Sequence, residues 1–236
     1  KELYTPNEIK DLDLEGLRQY LESLPCCVLG GDRKTAGDPL NLVLVGDGPH
    51  VLATLVRQGW DLTETMRSDT IWNTGISSLF GSKYRTSPVS SLYLFDRPQD
   101  IALQKTRSSV DERNHLRFWR TPVTLNSKPV WVGQISRDIG VRFTSKTITT
   151  HKIDPDVDET REYLLENLVY NQALQKLAYI EGVGEASINQ PRGNLTGDPY
   201  FTDGYRLVLW VTSKPVDLRD IEVEHWRIPP DQRVTP

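Results

Sequence analysis

Between Arg113 and Arg120 the chain alternates strictly: Arg113, His115, Arg117 and Trp119 share one side, and Asn114, Leu116, Phe118 and Arg120 the other. A period of two is the signature of a strand. Leu116 and Phe118 can pack into a core, so the opposite face carries two guanidiniums, an imidazole and an indole. Pro122 is expected to end this strand, because it offers no N–H to a ladder. Residues 129–135 (PVWVGQI) are expected to pair with it across the 126–128 turn. A second alternating stretch, 90–105, puts Leu92, Leu94 and Asp96 on one side and Tyr93, Phe95 and Arg97 on the other, with an irregularity at Pro98. Apolar runs at 41–46 (NLVLVG), 173–184 (ALQKLAYIEGVG) and 205–211 (YRLVLWV) read as further strands. The last two are joined by a long loop rich in Gly, Asn and Pro.

Elsewhere the period lengthens to that of a helix. Over 7–24, Ile9, Leu12, Leu17, Leu21 and Leu24 fall near helical spacing, with Asn7 as a cap, Pro25 as a stop and a break near Asp13. A tight glycine turn at 46–48 leads into a helix bearing Val51, Leu52, Leu55 and Val56, followed by a strand around Trp60. Residues 67–80 carry a weaker helical pattern. Asp156 and Glu159 have capping-box spacing, and Leu164, Leu165 and Leu168 give the helix behind them a buried stripe. Helices mixed with hairpin-like strand pairs predict an α+β fold, a mostly antiparallel sheet with flanking helices. The simplest division is an N-terminal helical extension (1–30), one compact domain (31–213) and a polar, proline-punctuated tail (214–236).

Composition narrows the function classes. With 28 Lys+Arg against 32 Asp+Glu, net charge −4, the 236 residues offer no global attraction to nucleic acid, and no base-stacking motif is present. No apolar run reaches the roughly 18 residues of a membrane-spanning helix. Lys1 stands where an initiator Met would, so it is read as a cut end, which leaves localisation open. The only cysteines, the adjacent Cys26 and Cys27, are expected as two small free thiols in a loop, since sequence neighbours rarely bridge and no C-x-x-C spacing is present.

The chemistry concentrates in 113–161. No metal motif is found: no H-x-x-x-H pair occurs, and the D-P-D-V-D run at 154–158 has Glu159 where a calcium loop needs glycine and Leu165 where it needs a bidentate Glu. Carboxylates at a helix start are also expected on structural grounds. The 46–48 glycine turn lacks the remaining positions of a dinucleotide fingerprint, so no cofactor is assigned. A serine elbow is absent. The histidine contexts HLRF and HKID do not match two-histidine phosphoesterases. What remains is an anion site: Arg113 and Arg117 offer forks suited to phosphate or carboxylate, with His115 between them as a general acid or base. The alternative is a face whose arginines pair with Asp96, Asp100 or Glu112.

These strings together resemble the LssY C-terminal domain. The matching segments are GDPLNLVLVG, QGW, SPVSSLYLFDRPQDIALQK, RNHLRFWR, VWVGQISRDIGV, HKIDPDVDETR and FTDG, running from Gly37 to Gly204. The resemblance implies a domain found alone or fused to DedA-type membrane proteins or phosphatidic acid phosphatase-like enzymes. By that analogy it implies an envelope or membrane-associated role. Pattern positions matched here include Asp96, Arg97, Asp100, Gln104, Arg113, His115, Arg117, Trp119, Trp131, Asp138, His151, Asp158 and Arg161; Asp96 stands where the resemblance leads one to expect glycine. Two readings follow. In the first, an accessory domain recognises a phosphorylated or lipidic anion, or a membrane-protein partner, through Arg97, Arg113, Arg117, Trp119 and Arg161. In the second, a phosphoester or ester hydrolase uses His115, His151 and Asp158, with or without metal assistance. A purely structural polar network is the third alternative.

Overall fold

The computed structural model describes residues 3–63, 90–106, 112–142 and 150–226. Its strands are β1 (Lys10–Leu12), β2 (Cys27–Leu29), β3 (Ala36–Pro39), β4 (Leu42–Val45), β5 (Asp61–Leu62), β6 (Tyr93–Leu94), β7 (Arg97–Pro98), β8 (Ile101–Thr106), β9 (Arg113–Leu125) and β10 (Lys128–Arg142). They continue with β11 (Thr150–Ile153), β12 (Leu174–Glu181), β13 (Arg192–Gly193), β14 (Pro199–Tyr200), β15 (Tyr205–Val211) and β16 (Glu222–Glu224). The α-helices are α1 (Leu14–Glu22), α2 (Gly48–Arg57) and α3 (Val157–Tyr170). The main sheet runs β16-β12-β15-β4-β10-β9-β8-β5, with β1 joined to β9 and β11 to β10; β2, β3, β6 and β7 form a second, small sheet. Most pairs are antiparallel; β4 runs parallel to β15 at the centre. The fold is α+β.

Register divides the main sheet into two faces, because paired residues point the same way. On one, Leu42, Leu44, Leu103, Leu116, Phe118, Ile135, Leu207 and Leu209 join Leu52 and Leu55 of α2 and Leu164 and Leu168 of α3 in one buried cluster. The other face packs Val43, Val132, Val208, Ala178 and Trp119 against Leu17 and Leu21 of α1 and against Leu92 and Leu94 of the small sheet. On that face Arg206 is fully buried and donates to the carbonyls of Leu40, Leu21, Leu24, Pro25 and Gly182. With no carboxylate beside it among the described residues, burial lowers its pKa to about 10. A Cβ on Gly182 would fall 1.9 Å from its Nη1, at a φ of +142°, so only glycine fits there.

Several local expectations change. The helix expected from residue 7 begins at Leu14, capped by Asp13, whose carboxylate accepts from Gly16 N at 2.7 Å. The residues before it form a single 3₁₀ turn and β1, which lies parallel to β9, so the N-terminal segment is knitted into the sheet. Pro122 does not end β9; three residues, Thr121, Pro122 and Val123, face the single Val130 in a bulge. Arg120 and Thr121 there donate to the Val130 carbonyl, and the strand resumes to Leu125. The alternation through 92–97 is also broken: Phe95 and Asp96, both at positive φ, form the turn between β6 and β7. Asp96 at φ +57° occupies a conformation natural to glycine, which explains the glycine expected there. The two cysteines are joined as a Cys26–Cys27 disulfide rather than left as thiols, within a segment pinned by Arg206 on one side and by Leu40 N donating to the Cys26 carbonyl on the other. The tail contributes β16, parallel to β12. The helix expected over 67–80 lies outside the described residues. None of the described helices is long and apolar enough to cross a membrane.

Candidate functional site

Three paired strands assemble the site. Register sets Arg113 opposite Asp138, His115 opposite Ser136 and Arg117 opposite Gln134 on β10, while Gln104 and Ala102 of β8 flank His115 and Arg117 from the other side. All of these share one face. Val130 and Val132 occupy the apolar end of that face on β10, and Gln134, Ser136 and Asp138 continue it as polar residues, every one of them buried. Burying such groups is unfavourable unless they bond to one another. They do: His115 Nε2 lies 2.7 Å from Asp138 Oδ2, and Arg117 Nη1 donates to Gln134 Oε1 at 3.0 Å. Arg117 Nη2 reaches the Ser90 carbonyl at 3.4 Å, and Arg113 Nη1 reaches Gln104 Oε1 at 3.4 Å.

The network extends to β3 and to the 190s loop. Gln134 Nε2 donates to Asp38 Oδ2 at 3.2 Å, and Asn194 Nδ2 to Asp38 Oδ1 at 3.3 Å. Gln134 is therefore an amide bridge between a cation and a carboxyl. Asp38 is deeply enclosed by protein yet keeps some accessible surface. Enclosure pushes its pKa above the usual carboxylate range, against the opposing pull of the Arg117 charge and the Asn194 hydrogen bond. The His115 side chain is 13% exposed, and Arg113 and Asn194 are half-buried, so solvent reaches the network from both ends. Chemically the cluster sets a carboxylate-oriented imidazole and a guanidinium side by side. That combination can hold an oxyanion and move a proton.

The remaining residues singled out from sequence go elsewhere. Arg97 binds Asp100 through two bonds of 3.1 and 2.8 Å, donates to the Arg120 carbonyl and meets Tyr4 Oη at 3.0 Å, tying the N-terminal segment and the β6–β7 hairpin to β9. Trp119 is sealed in the core with its Nε1 on the Arg97 carbonyl. Arg161, 1% exposed, is held bidentately by Asp203 and also by Glu162 and the Tyr205 carbonyl, with Tyr179 beneath it. Asp158 belongs to that second network: it accepts from Thr202 Oγ1 and Asp203 N and lies 3.3 Å from Arg161 Nη1. Burial raises its pKa to about 6, against the pull of Arg161. This second network docks the start of α3 on the 201–205 turn, a structural task. Asp156 caps α3 through Asp158 N and Glu159 N, while Glu159 turns outward to Arg137.

His151 pairs through its backbone with Val141, on β11, whereas His115 pairs with Ser136 on the opposite side of β10. Two strand spacings and five residues of rise set their Cα atoms roughly 15–20 Å apart. The two histidines are not brought together.

Asp38, Gln134 and Asn194 were not singled out from the sequence. Gln134 carried a signal, since Val130, Val132, Gln134, Ser136 and Asp138 form a strand face that turns from apolar to polar midway. Asp38 and Asn194 arrive from separate elements and carried none. Among the described residues, no group of three or more His, Cys, Asp or Glu side chains gathers as a metal site would require.

Comparison with known proteins adds one finding. Residues 18–205 match the family described as LssY C-terminus. No curated protein and no solved structure matches the chain. Covering well over half of the sequence, the match shows that the chain belongs to the LssY C-terminus family.

Proposed function

We propose that this chain is an accessory domain of the cell envelope that recognises a phosphorylated or lipidic anion at Arg117, His115 and Arg113. The observation that carries this reading is the Arg117–Gln134–Asp38 bridge beside the His115–Asp138 pair, a cation and a polarised imidazole fixed on the buried polar half of a sheet face. Folding alone does not call for such a face, because apolar residues continue it along the same strands. The lipidic component is supported by analogy, from the lipid-handling partners implied by the resemblance. Flotation with vesicles of phosphatidylcholine alone, or with phosphatidic acid added, tests it. Binding should require the phosphomonoester headgroup and weaken as salt rises; binding indifferent to both would contradict the reading.

A second reading is favoured by one specific contact. The 2.7 Å bond to Asp138 fixes the His115 ring, as a general acid or base is fixed. In a hydrolase His115 would act with Arg117 as the anion holder, without His151 or Asp158. A panel of phosphate and carboxylate esters, with and without divalent metal, would reveal it. Activity that survives His115→Ala in full would exclude this role.

A further inference from the structure

Thr63 follows β5 directly, and its N–H donates to the Ala102 carbonyl, so it continues the ladder one residue beyond Leu62↔Leu103. Leu62 faces the leucine-rich core, and alternation therefore turns Thr63 to the opposite face, the one that carries His115 and Arg117. Ala102 is paired with Arg117 on its other side. Thr63 and Arg117 thus flank Ala102, their Cα atoms two strand spacings or about 10 Å apart, with a single methyl between them. Thr63 is 2% exposed, and among the described residues its hydroxyl has no hydrogen-bond partner. A buried hydroxyl left unbonded is unfavourable, and valine would fill the same volume with the same strand preference. Nothing among the described residues gives a folding reason for the oxygen.

We infer that Thr63 is a ligand-contacting residue whose hydroxyl donates to one oxygen of an oxyanion that Arg117 holds by another, over Ala102. The inference rests on the anion reading of the site and deepens it. It names the ligand class as a compact oxyanion presenting at least two acceptor oxygens to opposite sides of one methyl group. A phosphate monoester and a free phosphate share this chemistry, and a carboxylate is the smaller competitor.

Calorimetric titration of the 236-residue chain with inorganic phosphate, glycerol phosphate and acetate tests it, alongside Thr63→Val, Thr63→Ser, Ala102→Val and Arg117→Met, each checked for an intact thermal transition. Thr63→Val should weaken the preferred oxyanion about tenfold, the size of one hydrogen bond to a charged group, while melting no lower than the wild type. Thr63→Ser should restore the affinity, and Ala102→Val should block it. A preference for glycerol phosphate over inorganic phosphate would mark the ester, equal affinity the free ion, and tighter acetate would overturn the assigned class. If Arg117→Met abolishes binding and Thr63→Val leaves it unchanged, the role of Thr63 is wrong and the anion site stands. If the wild type binds none of the three, or Arg117→Met binds as well as wild type, the anion reading itself fails.

Discussion

One face of the main sheet holds two regions built from the same strands at the same depth. Around Trp119, Val132, Val43 and Val208 the face is apolar and closes on α1. A few residues further along β9 and β10 it becomes His115, Arg117, Gln134, Ser136 and Asp138, nearly as buried and wholly polar. Burial alone cannot account for the second region, because the first shows what burial selects on this face. The difference separates two kinds of buried arginine as well. Arg206, in the apolar half, is surrounded by backbone carbonyls that it ties together, a role completed within the fold. Arg117, in the polar half, stands beside an oriented imidazole and is linked through Gln134 to the Asp38 carboxyl.

The contrast can be broken most forcefully from its apolar side. Trp119→Ala removes a fully buried indole and should cost about 3–5 kcal/mol in urea unfolding; a loss below about 1 kcal/mol would mean that this half is not the mechanical core. Arg206→Met is expected to follow, at about 2–4 kcal/mol, because it strands several buried carbonyls at once. An unchanged melting temperature would deny Arg206 its stapling role.

Asp158 gives a smaller, pH-dependent effect in the Arg161 network. Its folded pKa, about 6, lies above that of an unfolded aspartate, so the folded state holds the proton more tightly. This contribution is therefore fully present at low pH and is lost as pH rises through about 6, by about 2–3 kcal/mol in all. Asp158→Asn should flatten the stability profile between about pH 4 and 7 relative to the wild type. A wild-type profile in which Asp158 adds stability as pH rises would reverse the assignment. Least in size, Asn114→Leu should raise stability by about 1 kcal/mol, since this side chain is fully buried on the opposite, apolar face with neither amide atom bonded among the described residues. Destabilisation there would point to a hidden polar requirement under α3.

The alternation of 113–120 was enough to place β9 and to separate Leu116 and Phe118 from His115 and Arg117. It could not show that the second face is buried too, because alternation distinguishes the two sides of a strand and not their depth. Trp119 was grouped with the cationic residues for that reason, although it is sealed in the core with its Nε1 on the Arg97 carbonyl. Arg161 and Asp158 looked like ligand chemistry in a one-dimensional reading; only the 201–205 turn, some forty residues on, supplies the carboxylate and backbone groups that occupy them. The Phe95–Asp96 turn was hidden because Phe95 is not a usual turn former and the apparent alternation runs on through both residues. Asp38 reaches Gln134 across 96 residues of sequence, and its own neighbours give no hint of that contact.

The central claim, that the polar half of this face binds an oxyanion while the apolar half only holds the fold, is tested most directly by phosphorus NMR titration of inorganic phosphate. The wild type would be compared with Gln134→Leu from the polar half and Trp119→Phe from the apolar half. Loss of the Gln134 bridge should weaken phosphate at least tenfold while the protein stays folded, and Trp119→Phe should leave the affinity within about twofold even as it lowers the melting temperature. Equal affinity in all three proteins, or no binding by the wild type, would contradict it.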